Sequence, residues 1–228
     1  MQDCAPFLHD LHIRPCGDGW LATAGFDPEH LHAAALPVSL PDRLRGAVLK
    51  RQAEFLAGRT LCFLLQKHMG LAPTAVHIGA GRAPVWPSGL AGSISHSNNQ
   101  VAVLLFCRTD LFIGLDIEAI ATERALSAIR SSVLNSAEVS LLEHNPEKMT
   151  AAFSAKETLY KALCAHAGRF FGFSAAHVVR LTQECITLSL QENLGRSFLA
   201  NDHIDIHWRI APPGVQTWVA LSPRIKNR

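Results

Sequence analysis

The sequence is poor in the features that mark a membrane protein or a secreted, cross-linked one. No apolar run reaches the 18 residues that a membrane-spanning helix needs, so no span is expected. The first ten residues, MQDCAPFLHD, lack the basic and apolar regions of a secretory signal. Six cysteines (Cys4, Cys16, Cys62, Cys107, Cys164 and Cys185) are scattered without paired spacing, which argues against a disulfide framework. Cys62, Cys107 and Cys164 sit in apolar contexts and read as buried thiols. A cytoplasmic, reducing compartment is the expectation. Charge is also sparse, at 18% of residues with a net charge of +2 and a pI near 8.3. That is too mild for a nucleic-acid-binding chain and sufficient for a local cationic site. Tandem repeats, low-complexity tracts and a clear linker are missing as well.

What remains is ordinary globular composition: 228 residues, 48% of them hydrophobic, enough for one large domain or two small ones. Residues 1–38 show no regular pattern, and the pairs His9/His12 and His30/His32 have no acidic or cysteine partner that would favour metal ligation. From Ser39-Leu40-Pro41-Asp42 to Gly70 the pattern is helical, with Lys67 and His68 in the last turn. Short strands are expected at 75–79, 92–96, 100–107 and 111–119, the last two joined through Arg108-Thr109-Asp110 as a tight hairpin. Helices are expected over 121–134, 136–144 and 145–166, the last capped by Asn145 with Pro146 at its first position. Strands return at 185–190, 203–210 and 216–221, with Ile204, Ile206, Trp208 and Ile210 on one face. Helices and antiparallel strands in both halves make an α+β fold with two sheet-and-helix lobes.

One strand carries an oddity. In FIGLDIEAI, residues 112–120, Ile113, Leu115, Ile117 and Ala119 alternate on one face, while Asp116 and Glu118 project together from the other, roughly 6.5–7 Å apart along the backbone. Two like charges side by side call for a cation. On the long helix, Phe153, Glu157 and Lys161 form an i, i+4, i+8 stripe. By itself that stripe reads as an exposed Glu-to-Lys pair worth a few tenths of a kcal/mol, and Ser154 with Glu157 also fits a capping box. Strand and helix together read differently. Mg²⁺ is held by one or two carboxylates and completes its shell with water and substrate phosphates. Asp116, Glu118 and Glu157 supply that set, and Lys156 and Lys161 stand ready for the phosphates. The expectation is a magnesium–diphosphate site.

These residues resemble the motifs of the 4′-phosphopantetheinyl transferase superfamily, and within it the larger monomeric branch of the enterobactin-synthase-component-D type. The family's G-x-D-x-E stands as Gly114-Leu115-Asp116-Ile117-Glu118, and its (F/W)-(S/C/A)-x-K-E-x-x-x-K as Phe153-Ser154-Ala155-Lys156-Glu157 continuing to Lys161. KRQAEFLAGR, residues 50–59, resembles the branch's coenzyme-A-binding helix, placing its arginines at Arg51 and Arg59, eight apart and so about 80° around a helix. GRAPVWPSGLAGSISH, residues 81–96, resembles a second block, in which Arg82, Ser95 and His96 meet the phosphates or the adenosine end of the cofactor. GFSAAHV, residues 172–178, matches a short continuation. Phe153 departs from the tryptophan of many relatives.

The resemblance implies a pseudo-dimeric fold with an N-terminal lobe at 1–115 and a C-terminal lobe at 116–228. It implies Mg²⁺-dependent transfer of the 4′-phosphopantetheine arm of coenzyme A to a serine of an acyl- or peptidyl-carrier protein, releasing 3′,5′-ADP, by a monomer that needs no nucleic acid. On this resemblance Asp116, Glu157 and Lys161 would be the catalytic residues, Asp116, Glu118 and Glu157 would hold the metal, and Arg51, Arg59, Arg82, Ser95, His96, Asp116, Lys156, Glu157 and Lys161 would bind the cofactor. Glu138 matches a glutamate considered as the base, although a first-turn glutamate also suits a helix dipole. The competing readings are a metal-dependent coenzyme A or nucleotide diphosphate hydrolase, against which stands the lack of a G-x-x-x-x-G-K loop, and a non-catalytic coenzyme-A-binding module.

Overall fold

Val101–Phe106, six apolar residues without interruption, are all buried, as such a run in a central strand should be. They belong to the first of two units into which the chain divides, Met1–Thr109 and Asp110–Arg228. The computed structural model describes residues 7–33, 35–212 and 214–223.

The first unit contains β1 (Leu8–Cys16), β2 (Gly19–Phe26), α1 (Leu49–His68), the two-residue pair β3 (His77–Ile78) and β4 (Pro84–Val85), β5 (Ala91–Ser97) and β6 (Gln100–Phe106). Its main sheet is antiparallel in the order β1-β2-β6-β5. Helix α1 sets Ala53, Leu56, Ala57, Leu61 and Leu65 against Ala22, Ala24, Val101, Val103 and Leu105. That 3–4 spacing is one helix face.

Four expectations differ from the structure. The stretch expected to be irregular contains a hairpin of β1 and β2 among its described residues. Its signal is weak because β1 is bulged between His9 and His12, and β2 is half glycine and alanine. The helix expected from residue 39 starts only at Leu49, after a 3-10 turn at Asp42–Leu44, and no side chain caps it. Strands β6 and β7 do not form a hairpin through residues 108–110: they lie in different sheets. The division at 109/110 precedes the expected 115/116, which would cut through β7.

The second unit holds β7 (Phe112–Ala119), α2 (Glu123–Ser132), α3 (Ser136–Leu141), α4 (Pro146–Ala167), β8 (Ala176–Leu181), β9 (Cys185–Leu190), β10 (His203–Ala211) and β11 (Gly214–Leu221). The sheet order is β7-β11-β10-β9-β8. Strand β8 had no visible period because its ladder with β9 is interrupted at Val178/Arg180. Asn145 caps α4 as expected, its side chain accepting from the Lys148 N–H, and Gly168 ends the helix at φ 67°. Met149, Ala152, Ala155, Leu159 and Leu163 of α4 pack with Ile186, Leu188, Ile204, Ile206, Val215 and Val219. On β10 the apolar face runs out to solvent, with Ile210 53% exposed. Cys62 is buried, and burial pushes its thiol up to about 12, but Cys107 is exposed. Cys4 lies outside the described residues. Among those described, no helix is long and apolar enough to cross a membrane.

Gly114 decides how α4 meets β7. A Cβ there would run into the backbone carbonyl of Thr158. Gly114→Ala is therefore expected to lower stability by about 1–3 kcal/mol, the cost of overpacking. An unchanged urea midpoint would show that the helix does not need this approach.

Candidate functional site

Alternation on β7 turns Gly114 and Asp116 towards α4, and the same residues that let the helix approach bring its polar stripe to the strand. Asp116 is 3% exposed. Its Oδ1 accepts from Lys161 Nζ at 2.7 Å, and its Oδ2 from Ser154 Oγ at 2.8 Å. Phe153, Glu157 and Lys161 share one half-buried face of α4, as the stripe predicts. Burial raises the Glu157 pKa, the Asp116 charge raises it further, and Lys161 partly offsets both. A strand acid, a helix acid and an ammonium thus meet in one partly desolvated place, with a cavity of about 140 Å³ beside Glu157 lined by Tyr160, Phe170, Phe171 and Phe173. Leu159 and Leu163 are core residues, and Tyr160 is half-buried.

The expected three-carboxylate set is not assembled here. Glu118 lies on the Asp116 face of β7 and is half-buried, yet among the described residues no three His, Cys, Asp or Glu side chains are grouped as a metal set. Both Asp116 oxygens already have donors. Asp116 and Glu157 are still two carboxylates near the Lys161 ammonium, and burial first, then the Asp116 charge, raises the Glu157 pKa. One or two carboxylates with open positions is the usual protein share for Mg²⁺, so the residues fit such an ion. Against the expectation that the histidine pairs lack acidic partners, His9 and His30 bond Asp10 and Asp27; His12 is exposed, and the His32 side chain lies outside the described residues.

Lys156 occupies a different environment from the one expected. Its Nζ is sealed inside the unit, donating to Glu138 Oε1 at 2.8 Å and to the carbonyls of Val133 and Phe173 at 2.9 and 3.3 Å. Burial lowers its pKa, and the Glu138 charge draws it back up. A phosphate has no access to an ammonium so enclosed. Glu138 is equally committed: Oε1 accepts from the Val178 N–H at 2.7 Å and Oε2 from the Asn135 N–H at 2.8 Å. The capping box belongs to Asn135 and Glu138 at the start of α3, not to Ser154 and Glu157. Glu138 is a buried counterion, 1% exposed, and is shut off from a substrate hydroxyl.

In the first unit a cavity of about 490 Å³ is lined by Arg43, Arg51, Gly58, Arg59, Arg82 and His96, among others. Arg51 Nη1 lies 3.3 Å from Glu54 Oε2 and 3.3 Å from His96 Nε2. His96 Nδ1 is 3.7 Å from Glu54 Oε1. Because a guanidinium only donates, His96 Nε2 accepts there and its proton sits on Nδ1, towards Glu54. Arg59 lines the cavity but spends its fork on the carbonyls of Val76 and His77, at 2.6 and 3.3 Å, with its guanidinium 4.9 Å over Phe55. It holds the cavity wall. Gly58 is tight against Ile94 Cγ2, a close approach that accounts for a glycine in mid-helix. Arg82 reaches the cavity from a left-handed backbone, φ 66°, a conformation costing of order 1–3 kcal/mol. Ser95 is not brought there: it points to the other face of β5 from Ile94 and His96 and is 4% exposed.

Arg43 and Glu54 were not singled out from the sequence. Glu54 sits one helical turn from Arg51, which was a usable signal, whereas Arg43 gave none. Arg130, Lys148 and Arg169, basic residues of the second unit, are ion-paired to Glu123, Glu143 and Glu192 at 2.8, 2.8 and 2.9 Å.

A family model described as the 4′-phosphopantetheinyl transferase N-terminal domain matches residues 40–105, and one described as the 4′-phosphopantetheinyl transferase superfamily matches residues 112–218. Enterobactin synthase component D of Salmonella typhimurium (strain LT2) is 39% identical over 191 residues, 82% of this chain and 79% of its own. The 4′-phosphopantetheinyl transferase Npt of Nocardia iowensis is 30% identical over 136 residues, 58% of this chain and 60% of its own. The 4′-phosphopantetheinyl transferase PptT of Mycobacterium tuberculosis is 27% identical over 139 residues, with the same shares of 58% and 60%.

Proposed function

Because the chain belongs to the 4′-phosphopantetheinyl transferase superfamily and is an enzyme that moves the 4′-phosphopantetheine arm of coenzyme A to a carrier-protein serine, we propose that Asp116, Glu157 and Lys161 carry its chemistry. The observation behind this is the meeting of the strand acid and the helix acid, with the Lys161 ammonium on Asp116.

Asp116 and Glu157, with Glu118 beside them on β7, would hold Mg²⁺, which supplies polarisation of the diphosphate and offsets charge on the leaving oxygen. Lys161 adds a mobile positive charge at Asp116 Oδ1 and a proton for the departing 3′,5′-ADP. Glu157 is the carboxylate placed to take the serine proton. Glu138 is excluded from that task by its buried pairing with Lys156. The phenylalanine-lined cavity beside Glu157 offers apolar surface to the pantetheine chain.

Arg51, Arg82, His96 and Arg43 take the 3′-phosphate in the cavity of the first unit, and Arg59 keeps its wall in place. The carrier is a peptidyl- or acyl-carrier domain, of the kind used in siderophore assembly, since the relatives at 37–39% identity are enterobactin synthase components.

Mass spectrometry of an apo-carrier after incubation with enzyme, Mg²⁺ and coenzyme A tests the reading through the gain of the arm. No 3′,5′-ADP should form without carrier, whereas a hydrolase would release it. Arg51→Ala should raise KM for coenzyme A about tenfold or more, the loss of one hydrogen bond to a charged group, and leave dephospho-coenzyme A unaffected. An equal loss for both substrates would remove the 3′-phosphate assignment.

A further inference from the structure

Asp116 Oδ2 stands at the end of a line of three hydroxyls. Ser154 Oγ lies 2.8 Å from Asp116 Oδ2, Thr217 Oγ1 lies 2.8 Å from Ser154 Oγ, and Thr158 Oγ1 lies 2.6 Å from Thr217 Oγ1. Ser154, Thr158 and Thr217 are all 0% exposed. Each hydroxyl has one proton, and an ionised carboxylate only accepts. Ser154 therefore donates to Asp116, which leaves its oxygen to accept from Thr217, which in turn accepts from Thr158. All three protons point towards the carboxylate. Thr158 has a second acceptor in the Thr217 carbonyl, but at 3.3 Å that contact is the longer one.

The fold sets this line from two directions. Thr217 on β11 is directly opposite Asp116 on β7, so the two side chains share the face under α4. Ser154 and Thr158 are one turn apart on α4 and reach down to that face.

The geometry points to Thr217 as a positioning residue for the transfer reaction. It acts through Ser154 to keep Asp116 Oδ2 turned into the interior, so that Oδ1 is the oxygen presented to Lys161 and to a divalent cation. The inference rests on the assignment of Asp116 to the reacting site. Thr217 lies in no motif, and its role comes from hydroxyl direction and strand register alone. Without that proton the Ser154 oxygen loses the donor that orients it, and its hold on Asp116 Oδ2 is weakened.

The test uses the full chain with Thr217→Val, which keeps the shape and removes the hydroxyl, and Thr217→Ser, which keeps the hydroxyl. Thr217→Val should lower kcat about tenfold or more and weaken Mn²⁺ binding by a similar factor, as loss of a group orienting a metal ligand does. KM for coenzyme A should be unchanged, and Mn²⁺ binding is read by calorimetry without substrate. Thr217→Ser should restore both. Ser154→Ala interrupts the same line and should reproduce the split between kcat and KM. Wild-type kcat in Thr217→Val beside an inactive Asp116→Ala control overturns the inference while sparing the site, as does a loss that serine fails to restore. An active Asp116→Ala control brings down the site assignment itself.

Discussion

Glu138→Ala is expected to destabilise the second unit by about 3–5 kcal/mol, the cost of removing one partner of a buried ion pair. The side chains of Glu138 and Lys156 are 1% and 2% exposed, so the ammonium left behind has no route to water. The two backbone N–H groups that Glu138 accepts, from Asn135 and Val178, lose their acceptor in the same step. Each orphaned donor carries a desolvation cost of its own. The pair also ties four segments together: α3 through Glu138, α4 through Lys156, β8 through Val178 and the turn at Phe173. Urea denaturation of Glu138→Ala measures the loss. The double variant Glu138→Leu/Lys156→Met should recover much of it, because an apolar pair of similar volume replaces a buried ion pair at little cost. An unchanged midpoint in Glu138→Ala would mean that the pair is open to solvent, and would return Glu138 to consideration as a base.

Asp116→Ala is expected to lower transfer by about 10³-fold or more, since a metal–carboxylate contribution of several kcal/mol to the transition state converts at 1.36 kcal/mol per tenfold. Stability should change far less than for Glu138→Ala. The Lys161 side chain is 28% exposed and can turn to water when its partner goes. Ser154 keeps a hydroxyl neighbour in Thr217. Asp116→Asn separates charge from shape: it retains an oxygen for Ser154 and should be nearly as inactive. The measurement is the initial rate of arm transfer to a carrier by mass spectrometry, with circular dichroism showing an intact fold. Transfer by Asp116→Ala at the wild-type rate would remove the carboxylate site from the mechanism.

The two experiments draw attention to neighbours on one helix with opposite fates. Lys156 and Glu157 are adjacent in sequence, and both read as phosphate-site residues beside Asp116. Adjacent helical positions lie about 100° apart, so one side chain turns inward to Glu138 and the other keeps a half-buried place at the site. Nothing in the local sequence announces which way each turns, because the partner that claims Lys156 is 18 residues away on another helix. Arg59 and Ser95 follow the same logic. The motif fixes only their positions along the chain, and a carbonyl pair or a strand face then decides what they touch.

By itself the sequence determined the α+β class, the long capped helix at Asn145-Pro146, the carboxylate strand, and the stripe of Phe153, Glu157 and Lys161, since period, caps and glycine spacing are local properties. Only the tertiary structure decided that β6 and β7 part into separate sheets, that β1 and β2 exist at all, and that Thr217 stands opposite Asp116. Those outcomes depend on which distant strand wins a pairing and which side chain fills a buried place, and that competition is settled by packing across the sheet rather than by any short stretch of residues.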